Sequence, residues 1–285
     1  MFVTTAMRAP ICVAGLTIEL PGGRRTRVEA TVRRHLNPVG RLRVEVVDAA
    51  TGRAVPARVS VTGPDGRAFA PDDAWRHADD YFDRSERKIE YGYFHTAGAS
   101  EMTVPAGVVE VEVARGLEYR VARTKAVVAP NATETVRVEL ARLADMRARG
   151  YTSGDMHVHM NYGGSYRNDP ARLAFQAAAE DLGVVENLIV NKEQRIPDVT
   201  YFAGNRPDPA STAGVTIVHG QEFHTSMWGH VGLIGLEDHL LLPDYSAYVN
   251  TAAASPAPTN AVVADLAREQ GALVGYVHPF DVDPN

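Results

Sequence analysis

The stretch "GDMHVHMNYGG", residues 154–164, places two histidines one residue apart, with an aspartate two positions before the first. Side chains alternate between the two faces of a β-strand. A strand here therefore sets Asp155, His157 and His159 on one side and Met156, Val158 and Met160 on the other. The apolar set suits packing under helices. The polar set offers a carboxylate and two imidazoles in a row. Two neutral imidazoles at this interval can grip one divalent cation. Asp155 then either accepts a spare ring N–H and orients a histidine, or ligates directly. The competing reading is a half-buried polar strand.

One strand cannot complete a metal site, so partners are expected from other strands. "HGQEFHT" (219–225) puts Glu222 and His224 on one face and His219 and Gln221 on the other. His230 opens the strand-like "HVGLIGL", and His278 closes "ALVGYVH" just before Pro279. Seven of the ten histidines follow residue 150, so imidazole chemistry belongs to the second half. His239, in "EDHLLLPDY", reads as a loop histidine. Cys12 is the single cysteine, which excludes an intramolecular disulfide or a cysteine-rich metal site.

Working outward, the chain divides into a lead segment (1–37), a β region (38–145) and an α/β region (146–285). In the β region, "RLRVEVVD" (41–48) alternates with period two, and strands are expected near 57–61, 108–116, 119–128 and 134–143 with turns between them. This pattern predicts a small antiparallel β-sandwich. A charged, aromatic stretch, "DDYFDRSERKIEYGYFH" (79–95), reads as an insertion, with Tyr91, Tyr93 and Phe94 free to cover a neighbour. In the last region, "DPARLAFQAAAEDLG" (169–183) is a helix with Asp169 as its cap, and "PTNAVVADLAREQG" (258–271) is another. Mostly apolar strands separate them, which predicts a largely parallel sheet covered by helices.

The net charge of −6 gives no basic footprint for nucleic acid, and no apolar run reaches the length of a membrane span. The first twenty residues make a poor signal peptide, so cytoplasmic residence is the expectation, or periplasmic or secreted residence if an N-terminal signal is missing. No phosphate-cradling glycine loop, Gly-x-Ser-x-Gly elbow or cysteine-nucleophile motif is present.

The segments "GYTSGDMHVHMNYGG", "NLIVNKEQRIPD", "HGQEFHTSMWGHVGLIGL" and "GYVHPFD" resemble the PHP-domain metallohydrolases, in particular the CehA/McbA branch that includes carbaryl hydrolases. The region with "TGRAVPARVSV" and "VARGLEYRV" resembles the carboxypeptidase-regulatory-like sandwich. The resemblance implies an α+β chain: an antiparallel β-sandwich followed by an incomplete, distorted (β/α)7 PHP-type barrel. It implies two or more divalent ions (Zn, Mn or Fe) in a complete barrel, with His157, His159, Glu222, His230 and His278 as ligands and His224 competing with His230. Where an Asp-His pair is usual, this chain has Asn191-Lys192-Glu193, with Glu193 as a substitute. The family's final Asp-x-His element is absent before Asn285, which reads as C-terminal truncation.

The activity so implied is hydrolysis of a carbamate, amide or ester-type bond by metal-activated water. Asp155, Glu222 and Glu193 are its acid–base candidates, and Tyr162, Arg167, Lys192 and Trp228 its substrate-facing residues. A small-molecule substrate and a homo-oligomer are the partners expected. Three alternatives stand beside it: a PHP-type phosphoesterase, an amidohydrolase-type barrel, and a non-catalytic β-sandwich binding module with a broken barrel.

Overall fold

A computed structural model describes residues 11–20, 24–32, 38–78, 92–161, 167–191, 196–224, 228–241 and 257–278. The lead segment contains two paired strands, β1 (Ile11–Leu20) and β2 (Arg24–Val32), which form an antiparallel ladder. Cys12 lies on β1, opposite Thr31 of β2.

Among the described residues nine strands follow: β3 (Val39–Asp48), β4 (Ala57–Thr62), β5 (Ala68–Phe69), β6 (Arg76–Ala78), β7 (Gly92–Thr96), β8 (Ala99–Pro105), β9 (Gly107–Ala114), β10 (Ala122–Val128) and β11 (Thr133–Leu140). They form two sheets, ordered β10-β9-β4-β7-β6 with β5 beside β4, and β11-β3-β8. Alternation explains why they pack. Leu42, Val44 and Val46 of β3 meet Val59 and Val61 of β4 and Val109, Val111 and Val113 of β9 in one shared core. The sandwich is not wholly antiparallel, because β11 runs parallel to β3. Alternation fixes which face of a strand is buried but is silent on strand direction. Phe94 is a fully buried core residue of the sandwich rather than a cover for a neighbour.

The last region holds β12 (Gly154–Val158), α1 (Pro170–Ala179), β13 (Val184–Val190), α2 (Ile196–Val199), β14 (Thr216–His224), β15 (His230–Ile234), α3 (Asn260–Glu269) and β16 (Leu273–Tyr276). Its sheet has the order β12-β13-β14-β15-β16. The first three strands are parallel, whereas β14–β15 and β15–β16 are antiparallel. The expectation of a (β/α)7 barrel, complete or partial, is thereby corrected: the described residues are predominantly β, and this sheet is mixed and open. The physical reason lies at residues 225–229. So short a link admits a hairpin, whereas a parallel crossover needs a dozen residues or more.

Both long helices cover the same face of this sheet. Asp169 caps α1 by accepting from the Arg172 amide at 2.8 Å, and Pro170 occupies the first turn. The helix buries Leu173, Ala174 and Ala177 against Met160, Val185 and Ile217. Thr259 caps α3, whose Val263 and Ala267 pack on Phe223, Val231 and Leu233. Ile217 and Phe223 share one face of β14, so Gly220, Glu222 and His224 point to the other.

The sandwich grips the C-terminal end of α1. His95 Nε2 lies 2.8 Å from Glu180, whose other oxygen is 3.3 Å from Arg58. The Arg115 guanidinium donates to Asp181 at 2.7 Å, to the Ala178 carbonyl at 2.7 Å and to the Pro56 carbonyl. Gly116, at φ +51°, lets the backbone reach this corner, since a Cβ there would lie 2.7 Å from the Glu180 carbonyl oxygen.

Candidate metal centre

Glu222 is the hub of the sheet face left clear by the helices. It is 1% exposed, yet five imidazoles converge on its carboxylate. Oε2 faces His159 Nε2 at 2.7 Å, His224 Nε2 at 3.1 Å and His157 Nε2 at 3.2 Å. Oε1 faces His230 Nδ1 at 3.1 Å and His278 Nε2 at 3.5 Å. The His157 and His159 Nε2 atoms are 3.1 Å apart, and the His224 and His230 rings stack at 3.6 Å.

Topology explains the convergence. Glu222 pairs with Gly232 on β15 and with Val190 on β13, while His224 pairs directly with His230. His159 lies just past the end of β12, beyond a register shift between Asp155 and Val158. The strand is therefore shorter than alternation alone implies, and Met156 is 45% exposed rather than packed under a helix. His278 is reached through a left-handed backbone, φ +54°, two residues past β16. A non-glycine residue in that region is uncommon and marks a position held by its surroundings.

The donor set suits a transition metal. Ligands about 2.0–2.1 Å from a tetrahedral ion stand about 3.3 Å from one another, close to the nitrogen–oxygen and nitrogen–nitrogen spacings seen here. Two triads, His157–Glu222–His278 and Glu222–His224–His230, each gather their ligand atoms within 4.8 Å. His159 is oriented in the manner of a ligand. Its Nδ1–H donates to the Leu188 carbonyl at 2.8 Å, which leaves Nε2 to face the cluster.

Electrostatics couple the groups. Burial opposes ionisation of Glu222, but hydrogen bonds from His159, His224 and His230 outweigh it and hold the carboxyl well below the usual range. Burial likewise works against the charged form of His159, yet the hydrogen bond and charge of Glu222 raise its affinity for a proton. For His224, burial and the nearby His230 and His159 win over Glu222, and its proton affinity falls.

The remaining sequence candidates are placed as follows. The Asp155 carboxylate accepts from the His157 amide at 3.1 Å, so it turns toward its own backbone. Trp228 is partly exposed, and its carbonyl accepts from Asn260 at 2.6 Å. Arg167 is exposed. Tyr162, Lys192 and Glu193 lie outside the described residues. His219 sits on the opposite face of β14, between Asp208 at 2.9 Å and Asn187 at 3.1 Å. His239 is exposed and pairs with Asp238.

Two buried polar residues of β13, Glu186 and Asn187, escaped the sequence reading, and Asn191 at its end entered it only as part of an altered motif. Asn187 accepts the Met160 amide at 2.9 Å, and Asn191 accepts the His224 amide at 2.5 Å while donating to the His224 carbonyl at 3.2 Å. Together they fix the chain ends that carry His159 and His224. Glu186 is 2% exposed, and burial pushes its carboxyl up to about 7. The signal was available: three polar residues interrupt the otherwise apolar "VVENLIVN". Gly220 makes room for Glu186, since a Cβ there would lie 2.4 Å from Glu186 Oε1 and 2.6 Å from the Leu233 carbonyl oxygen. Gly220→Ala is expected to destabilise the protein by about 1–3 kcal/mol, read from the urea unfolding midpoint.

No family model matches the chain, and no curated protein matches it. Among solved structures, the minor pilin GBS52 of Streptococcus agalactiae is 13% identical, covering 44% of this chain and 58% of that one, with a TM-score of 0.29. The Bacillus anthracis TIE protein is 14% identical over 49% of this chain and 25% of its own, at 0.26. The pilus-presented adhesin Spy0125 is 11% identical over 38% and 28%, at 0.21. The chain thus spans less than two thirds of each, and scores this low carry no argument about activity. The resemblance to PHP-domain and CehA/McbA metallohydrolases is corrected on two grounds: no family model carries it, and the sheet holding the cluster is mixed and open rather than the barrel that the resemblance implies. The hydrolase and enzyme assignments that rested on it are withdrawn with it. Among the described residues no helix is long and apolar enough to cross a membrane.

Proposed function

We propose that the chain is a non-catalytic binding module, in which the sandwich braces an open sheet that holds divalent transition-metal ions. The observation that carries this reading is the convergence of five imidazoles on the one buried carboxylate of Glu222. His157, His159, Glu222, His224, His230 and His278 would supply the ligands. Nitrogen donors in this number favour zinc or a similar borderline ion over magnesium or calcium. The two triads share Glu222, which sets a capacity of up to two ions. A binding role is supported by the make-up of the cluster, in which Glu222 and the five imidazoles around it are all metal-donor side chains. Asp155 is tied to its own backbone.

The test is metal analysis of the purified chain, joined to titration of the chelated protein with Co(II), whose visible bands report nitrogen-rich tetrahedral sites. At least one equivalent is expected in the wild type. In the His157→Ala/His159→Ala double variant and in Glu222→Gln, affinity should fall by about 100-fold or more. A saturating ion at 100 times its Kd adds about 2.7 kcal/mol to stability, so a matching rise in Tm should be lost in the same variants. A wild-type chain that retains no metal and develops no Co(II) bands would overturn the proposal.

A further inference from the structure

A cavity of about 410 Å3 lies where the sandwich meets α1, and no residue of the histidine cluster lines it. Its walls include Trp75, His95, Ser100 and Glu101 from the sandwich and Arg172 and Phe175 from α1. The volume falls within the range of small-molecule sites, which favour such junctions.

The charge state of the walls sets it apart from the rest of the junction. Arg41 is paired with Glu101, Arg58 with Glu180, and Arg115 with Asp181. His95 also binds Glu180. Arg172 differs: among the described residues no ion pair joins it to a carboxylate. Its guanidinium stands 4.4 Å from the Trp75 ring centroid, and its hydrogen bond to the Arg167 carbonyl is long at 3.5 Å. An arginine fork held over an indole is ordered in advance for a planar, two-oxygen partner. Phe175, 36% exposed, supplies an apolar wall. Glu101 and Asp73 supply negative charge on the sandwich side, which disfavours a dianion.

We propose that this cavity binds a small aryl monocarboxylate, with its carboxylate on the Arg172 fork and its ring against Trp75 and Phe175. A single uncompensated cation matches one negative charge, and the aromatic walls match a ring.

The experiment uses the full chain and calorimetric titration with phenylacetate, phenylacetamide and inorganic phosphate. Saturable binding is expected for phenylacetate alone. Arg172→Gln should weaken it by about tenfold or more, and Arg172→Lys should weaken it less. Trp75 fluorescence, read in a Trp228→Phe background, should be quenched by phenylacetate over the same concentration range. Circular dichroism and the metal titration of each variant show that it has folded. The idea fails if phenylacetamide or phosphate binds as well as phenylacetate, if Arg172→Gln leaves affinity unchanged, or if no saturation occurs up to about 10 mM.

Discussion

Replacing Glu186 with glutamine is expected to remove a loss of stability of about 3 kcal/mol between pH 4.5 and pH 8. Glu186 is buried on the same sheet face as Glu222, and its carboxyl is pushed up to about 7 because burial disfavours the charged form. The folded chain therefore holds a proton at pH values where the unfolded chain has released it. Stability falls with pH wherever the native state binds more protons. The decline starts above the ordinary value of 4.5, steepens to about 1.4 kcal/mol per pH unit, and levels off above 7. Glutamine has nearly the same volume and no proton to lose. Urea unfolding of the metal-free protein from pH 4 to 8 reads the effect as the difference between wild type and Glu186→Gln. The two should agree near pH 4 and diverge as pH rises. Parallel curves across the range would show that Glu186 does not titrate in this way.

The second large effect is expected at the junction between the sandwich and α1. Arg115 and Asp181 are both largely buried, and the guanidinium also serves the Pro56 and Ala178 carbonyls. Arg115→Met keeps most of the aliphatic stem but strands Asp181 and both carbonyls. Removing one partner of a buried pair costs about 3–5 kcal/mol. The lower end is expected here, because Arg142 stands 3.9 Å from Asp181 and keeps part of the compensation. Asp181→Asn in the Arg115→Met background should cost little more, since no uncompensated charge is then left. Denaturation of the single and double variants gives this coupling directly. Additive losses would mean that the two residues act separately. The proposed metal binding should survive, because neither residue touches the cluster.

Period-two alternation made much of this molecule legible. It placed the β3 strand and its buried Leu42, Val44 and Val46, and it separated Glu222 and His224 from His219 and Gln221 on β14. It could not report strand direction, which is why the parallel β11–β3 pair and the antiparallel β14–β15 hairpin differ from the expected sandwich and barrel. Loop length was the better guide at residues 225–229, where a crossover has no room. His278 owes its position to a left-handed backbone beyond the strand, a feature that no alternation rule describes. Glu186, Asn187 and Asn191 were visible as polar letters in an apolar strand, but their roles depend on neighbours brought close only by folding.

The cluster is built unevenly. Glu222 is sealed at 1% exposure, whereas the His278 side chain is 48% exposed and His157 about a third. A captured ion would therefore rest on a rigid inner anchor and an outer rim open to solvent. Under the proposed metal-binding role, chelators and competing donors would replace the outer ligands one at a time without unfolding the sheet, and the ion's residence time would be set by ligand substitution rather than by the slow opening of the protein.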